Sequence, residues 1–170
     1  KKVTEEFILK LHKMVMKDLA PDAGHFRTEP SAIFNQAGVA VYMTPPPSMI
    51  AGLLDQLILL IQTDAAAAFD AEHAVIKAAL LHFAFEKIHP FIDGNGRVGR
   101  LLSSFLLKKE GYDFRGLAIF EEYLNEHRDE YYAVLSLSGK DITEFVEFFT
   151  DAIAISAEKV IELLQDKKEE

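Results

Sequence analysis

The sequence predicts an all-α domain carrying a single β-hairpin. Apolar residues recur at helical spacing in long runs along most of the chain, with capping residues ahead of several of them. One short stretch, residues 32–42, breaks that period with two strand-like runs around a turn. Of the 170 residues, 49% are hydrophobic, enough for one sizeable core, and no internal repeat or low-complexity linker divides them. The whole chain, 1–170, is read as one domain.

Thr4 is a candidate N-cap, and Glu5 and Glu6 favour the positive end of a helix dipole. Phe7, Ile8, Leu11, Met14, Val15 and Leu19 carry that helix to residue 19, and Pro21-Asp22-Ala23-Gly24 turns the chain. Ala32-Ile33-Phe34 and Val39-Ala40-Val41-Tyr42 flank Asn35-Gln36-Ala37-Gly38 and read as the hairpin. Two strands are marginal alone, so this hairpin is expected to lie over something. Pro45-Pro46-Pro47 makes a stiff entry, Ser48 caps a helix from Met49 to Gln62, and Asp70 caps another from Ala71 to Ile88. The face Val75, Ala78, Ala79, Leu81, His82, Phe85 and Ile88 is apolar or aromatic enough to be central. A second central helix runs from Val98 to a stop at Gly111, residues 112–120 form a loop, and 121–137 is helical until Ser138-Gly139. Asp141 caps a last helix with Ile142, Phe145, Val146, Phe149, Ile153, Ile155, Val160, Ile161, Leu163 and Leu164, and the tail from Asp166 frays.

Between the two central helices lies His89-Pro-Phe-Ile-Asp-Gly-Asn-Gly-Arg-Val-Gly-Arg100. Gly94 and Gly96 around Asn95 allow successive N–H groups to converge on an anion at the start of a helix, and phosphate is the natural guest. Arg97 and Arg100, three apart, would share one helical face and hold different phosphoryl groups. Asp93 is placed to hold Mg²⁺ beside those phosphates, and His89 titrates in the range of a general base. Taken singly these features have blander readings, a turn, a solvated histidine and surface arginines. Their co-occurrence within twelve residues favours a nucleotide site.

The pattern His-x-Phe-x-Asp-Gly-Asn-Gly-Arg-x-x-Arg resembles the signature of Fic (filamentation induced by cAMP) domains, matched here at all eight specified positions. The resemblance implies a compact bundle of about six to eight helices with the hairpin as a flap. It implies transfer of AMP from ATP to a Tyr, Thr or Ser hydroxyl of a target protein, with release of pyrophosphate. By the same likeness His89 is the base, Asp93 the Mg²⁺ (or Mn²⁺) ligand, Gly94, Asn95 and Gly96 the α/β-phosphate cradle, and Arg97 and Arg100 the β/γ-phosphate clamps. Phe91 would anchor the loop. The flap, with Ile33, Phe34, Val39, Ala40 and Val41, would receive the target by strand addition. Tyr123, Leu124, Tyr131 and Tyr132 are the candidates for the adenine pocket.

Relatives of this fold transfer phosphoryl or other nucleotidyl groups, or remove AMP with an additional glutamate that the sequence does not locate; a nucleotide-binding module without turnover is the alternative outside enzymes. Such domains are often restrained by a helix whose glutamate pairs with the second arginine. Thr143 and Glu147 come nearest to that motif, but Phe148 follows, so such a helix would lie upstream of Lys1, arrive on an antitoxin-like partner, or be absent. His82 is read as a core histidine rather than a metal ligand with His89 and Asp93. The net charge of −9, with no basic cluster, argues against nucleic acid and anionic membranes. No cysteine is present, which excludes thiolate chemistry, and with no apolar span in the sequence a cytoplasmic location is expected.

Overall fold

Two helices, α3 (Glu72–Ile88) and α4 (Asn95–Lys109), pack against each other at the centre of the computed structural model, which describes residues 2–62, 72–112, 120–136 and 141–166. Their inward residues, Ala78, Ala79, Leu81 and Phe85 on one side and Val98, Leu102, Leu106 and Leu107 on the other, are buried, as their helical spacing requires. Gly99 lets the helices close up: a Cβ there would stand 2.7 Å from Glu86 Oε1 on α3. α2 (Ile50–Gln62) and α7 (Thr143–Asp166) flank α3, α1 (Glu5–Val15) lies on α4, and α5 (Glu121–Glu126) and α6 (Arg128–Ser136) lie on α7. The described residues thus form seven α-helices with one antiparallel hairpin, β1 (Ala32–Phe34) and β2 (Ala40–Met43).

Local chemistry sets several boundaries where the sequence placed them. Thr4 Oγ1 accepts from the Phe7 N–H at 3.1 Å and caps α1. Asp141 accepts from both the N–H and the hydroxyl of Thr143 ahead of α7. Gly111, at φ +98, ends α4, with Gly111 N–H donating to Lys108 O and Tyr112 N–H to Leu107 O, the paired bonds of a Schellman turn. In the hairpin, Ile33 faces Tyr42 and Phe34 faces Ala40, so Val41 is a bulge residue.

Elsewhere the boundaries differ. α1 stops at Val15 rather than residue 19: Met16 turns inward and is fully buried, Asp18 takes a positive φ of 62, and Leu19 is exposed. Ser48 does not cap; it sits inside a 3-10 turn, Pro47–Met49, that leads into α2. α4 begins at Asn95, not Val98, so the second half of the motif is helical. The helix expected over 121–137 breaks at His127, whose Nδ1 binds the Tyr123 carbonyl at 2.9 Å. Ile155 and Ile161 of α7 are exposed rather than inward. Asp70, Ala71, Leu137, Ser138 and Gly139 lie outside the described residues.

Candidate active site

α3 delivers His89 and α4 receives the chain again six residues later. His89 takes a left-handed φ of +49, strained for a side chain with a Cβ. Its Nδ1 lies 3.3 Å from the Glu86 carbonyl oxygen. A carbonyl only accepts, so Nδ1 carries the hydrogen and Nε2 keeps its lone pair. Burial is the main influence on the imidazole and pushes its pKa down to about 4; the Arg27 charge acts in the same direction, against the Glu86 carbonyl and Asp93. At neutral pH the ring is therefore an unprotonated, base-competent imidazole.

After His89 the loop is held from within and from below. Phe91 is fully buried, stacked on His12 with centroids 3.7 Å apart. Asn95 is also buried, and its side chain accepts from Phe91 N–H at 2.9 Å and donates to Phe91 O at 2.8 Å. This residue braces the loop with its amide, which leaves only its backbone for a ligand. Gly94 caps α4 at φ +84, and a Cβ on it would lie 2.7 Å from Met16 Sδ, so both conformation and space call for glycine. The first-turn N–H groups of Asn95, Gly96 and Arg97 have no acceptor within the helix. They point, with the positive end of the α4 dipole, to the place where an anion would rest.

Asp93 Oδ1 accepts from Gly94 N–H at 2.6 Å, and Oδ2 pairs with Arg97 at 3.1 Å. Arg100 pairs with Glu121 on α5 at 3.1 Å. Both arginines are partly exposed and face a cleft of about 440 Å³, which His89, Asp93, Gly94, Asn95, Gly96, Arg97 and Arg100 all line. β1 forms another wall with Ile33 and Phe34, and α6 contributes Tyr131 and Tyr132. The seven motif residues thus converge on one cleft, with strand and tyrosines opposite.

The Fic/DOC family matches residues 2–107 of this chain. The chain belongs to that family. Proteins named protein adenylyltransferase Fic from Drosophila erecta and Drosophila mojavensis are 34% and 33% identical to it over 163 residues, which is 95% of this chain and 29% of theirs. A Fic family protein from Desulfovibrio desulfuricans G20 superposes with a TM-score of 0.80 at 28% identity, over 94% of this chain and 47% of that one. A Fic domain containing signaling protein from Bacteroides thetaiotaomicron VPI-5482 gives 0.73 at 25%, over 91% and 60%. The chain spans under a third of the length of the curated relatives it matches.

In this Fic domain several expected contributors stand elsewhere. Tyr123 stacks on His127 and Leu124 is buried in the core, and neither lines the cleft. Val39, Ala40 and Val41 belong to the hairpin turn and β2 and are not among the residues that line the cleft. Tyr131 lines the cleft with its ring but commits its hydroxyl to His82 Nε2 at 3.1 Å. His82 is fully buried with its pKa pushed down to about 3, a core histidine as read. Arg100 takes its carboxylate from Glu121, while Glu147 is an exposed residue of α7.

Three contributors were not singled out for this site by the sequence. Glu86 is a buried carboxyl on the cleft wall, pushed up to about 7 by burial against the opposing pull of Arg100, and its Oε1 has no hydrogen-bond partner. His12 accepts from Gly24 N–H at Nδ1, at 2.8 Å, and donates from Nε2 to Asp93 O at 3.0 Å. Arg27 reaches the carbonyls on either side of the hairpin and at the end of α3. Apart from the bond of Arg27 to Glu29 O, the bonds of His12 and Arg27 run to backbone 12 or more residues away, which no local side-chain pattern encodes.

Proposed function

We propose that this domain transfers the adenylyl group of ATP to a hydroxyl of a protein, with release of pyrophosphate. The observation that carries the reading is the 3.3 Å approach of His89 Nδ1 to the Glu86 carbonyl, which assigns the hydrogen to Nδ1 and leaves the Nε2 lone pair for a cleft whose floor is a helix N-terminus. The hydroxyl oxygen of the target forms a bond to the α-phosphorus. The bond from that phosphorus to the oxygen bridging to the β-phosphate breaks, its electron pair leaves on pyrophosphate, and the hydroxyl proton moves to Nε2.

Nucleotide binding is supported by how weakly the arginines are engaged. Their pairs with Asp93 and Glu121 involve carboxylates that are 69% and 48% exposed, and such pairs contribute at most about 1 kcal/mol. A triphosphate bound on the α4 N–H groups would displace both. Asp93 would suit Mg²⁺ (or Mn²⁺), because its carboxylate is an accessible oxygen donor. Such an ion, held by Asp93, would neutralise charge on the phosphates. Tyr131 and Tyr132, which line the cleft, would pack on the base.

Protein as acceptor is supported by the hairpin. β1 pairs only with β2 among the described residues, so its other edge has no strand beside it, and Ser31 to Phe34 line the cleft that holds His89. Arg100, which already holds a carboxylate, is where a glutamate from an inhibitory helix or antitoxin-like partner would compete with the nucleotide.

The test is the intact mass of the purified chain after incubation with Mg·ATP. The reading predicts self-modification by the mass of one adenylyl group, AMP less water. A phosphoryl adduct would assign another transfer, and ATP binding with no adduct on this chain or on any protein offered would leave a binding module.

A further inference from the structure

Among the described residues, Arg27 forms no ion pair with a carboxylate. It is 3% exposed, and its partners are main-chain oxygens: Nε donates to His89 O at 2.7 Å, Nη1 to Glu29 O at 2.9 Å, and Nη2 to Pro45 O at 2.6 Å and Ile88 O at 3.4 Å. Its own N–H donates to Pro90 O at 2.9 Å. Two of these acceptors, Ile88 and His89, are carbonyls at the C-terminal end of α3, the negative pole of that helix, which suits a buried cation. The other two side-chain acceptors flank the hairpin, Glu29 before β1 and Pro45 after β2. One planar fork therefore joins three segments: the strained turn that carries the imidazole and both roots of the flap.

We propose that Arg27 is a positioning residue for the transfer reaction: its guanidinium locks the His89 peptide in the left-handed turn and fastens that turn to the hairpin, so base and flap keep one spacing. This rests on His89 being the base. A lysine in its place would keep the charge but lose the fork, because an ammonium cannot direct donors along these divergent lines. A neutral amide would lose both. The charge has a second consequence, because Arg27 faces the imidazole together with the Glu86 carbonyl and Asp93, while Glu86, Arg97 and Arg100 share the cleft. Removing it relieves a repulsion, so the imidazole becomes easier to protonate.

The experiment compares the wild-type chain with R27K and R27Q. Imidazole titration by NMR is read alongside single-turnover self-adenylylation and ATP binding. R27Q is expected to raise the His89 pKa and R27K to leave it near the wild-type value. Both are expected to slow the transfer step by about 10- to 100-fold with ATP affinity held within about twofold, because the base is displaced while the α4 cradle is untouched. A merely structural role would lower stability and ATP affinity together rather than slow transfer in a chain that still binds ATP. Should R27Q fail to fold, R27K decides alone: transfer within about twofold of wild type overturns the proposal. An unchanged His89 pKa in folded R27Q also overturns it. If the wild-type chain shows no transfer at all, the adenylyltransferase reading fails, and the titration still decides whether Arg27 sets the state of the imidazole.

Discussion

The imidazole of His12 lies flat on the ring of Phe91, planes 2° apart, while its two nitrogens join Gly24 to Asp93. A residue of the first helix thus supports the floor of a loop eighty positions away. The bond directions fix its state: Gly24 N–H needs an acceptor and Asp93 O a donor, which only the neutral Nε2–H ring supplies.

Replacing His12 by Phe keeps the stacking and removes both bonds. Leaving a buried donor and acceptor unpaired should cost on the order of 2 kcal/mol, read as a lower denaturation midpoint with an unchanged slope. A variant as stable as wild type would mean that ring packing alone holds the loop.

Gly94 carries two constraints that separate genetically. G94A places a Cβ at 2.7 Å from Met16 Sδ and an alanine at φ +84. M16A relieves most of the first but leaves a cavity where a fully buried methionine stood, so the double variant, measured against M16A alone, should recover part of the stability that G94A loses but remain about 1 kcal/mol short from backbone strain. Full recovery would show that space, not φ, requires the glycine.

Stability should also depend on pH through Glu86. Its folded pKa of about 7 lies above the usual carboxyl value of 4.5, so its contribution is fully present below pH 4.5 and is lost as pH rises through 7. E86Q, neutral throughout, should therefore be more stable than wild type at pH 8 by on the order of 2 kcal/mol, with the gap closing at acid pH. His82 and His89 act oppositely: both have folded pKa values below 6.5, so stability is lost as pH falls below 6.5 towards about 3 for His82 and about 4 for His89. The test is denaturant unfolding across pH, and a gap between E86Q and wild type that does not change with pH would refute the assignment.

Glu121 occupies one of the two guanidinium groups assigned to phosphate. E121Q should leave stability within about 0.5 kcal/mol, since the pair is half-exposed, and should tighten ATP binding by up to about fivefold. Weaker binding by calorimetry would mean that Glu121 orients Arg100 rather than competing for it.

The sequence carried the cleft well where its determinants are contiguous. His89 to Arg100 needed only one loop to converge, and Thr4, Gly111 and Asp141 announced their helix ends through side-chain chemistry that is local. It was silent on Arg27 and His12, because the atoms they hold are carbonyls and amides that every residue has. The start of α4 at Asn95 was missed because Gly94 in the left-handed region lets the helix open three residues earlier than its apolar run. The break at His127 was hidden by continuous helical spacing, since a ring-to-carbonyl bond rather than a breaker residue ends α5. Tyr123 and Leu124 fell on that short helix and turn away from the cleft.

The central claim is that the Nε2 of His89 accepts the proton of the attacking hydroxyl. It is tested most directly by comparing wild type and H89A for transfer of label from ATP marked at the α-phosphate, with ATP affinity measured on the same samples. The account predicts that wild type retains the α label on protein, and that H89A loses transfer by at least about 100-fold while binding ATP within about twofold of wild type. Transfer by H89A at the wild-type rate would contradict it.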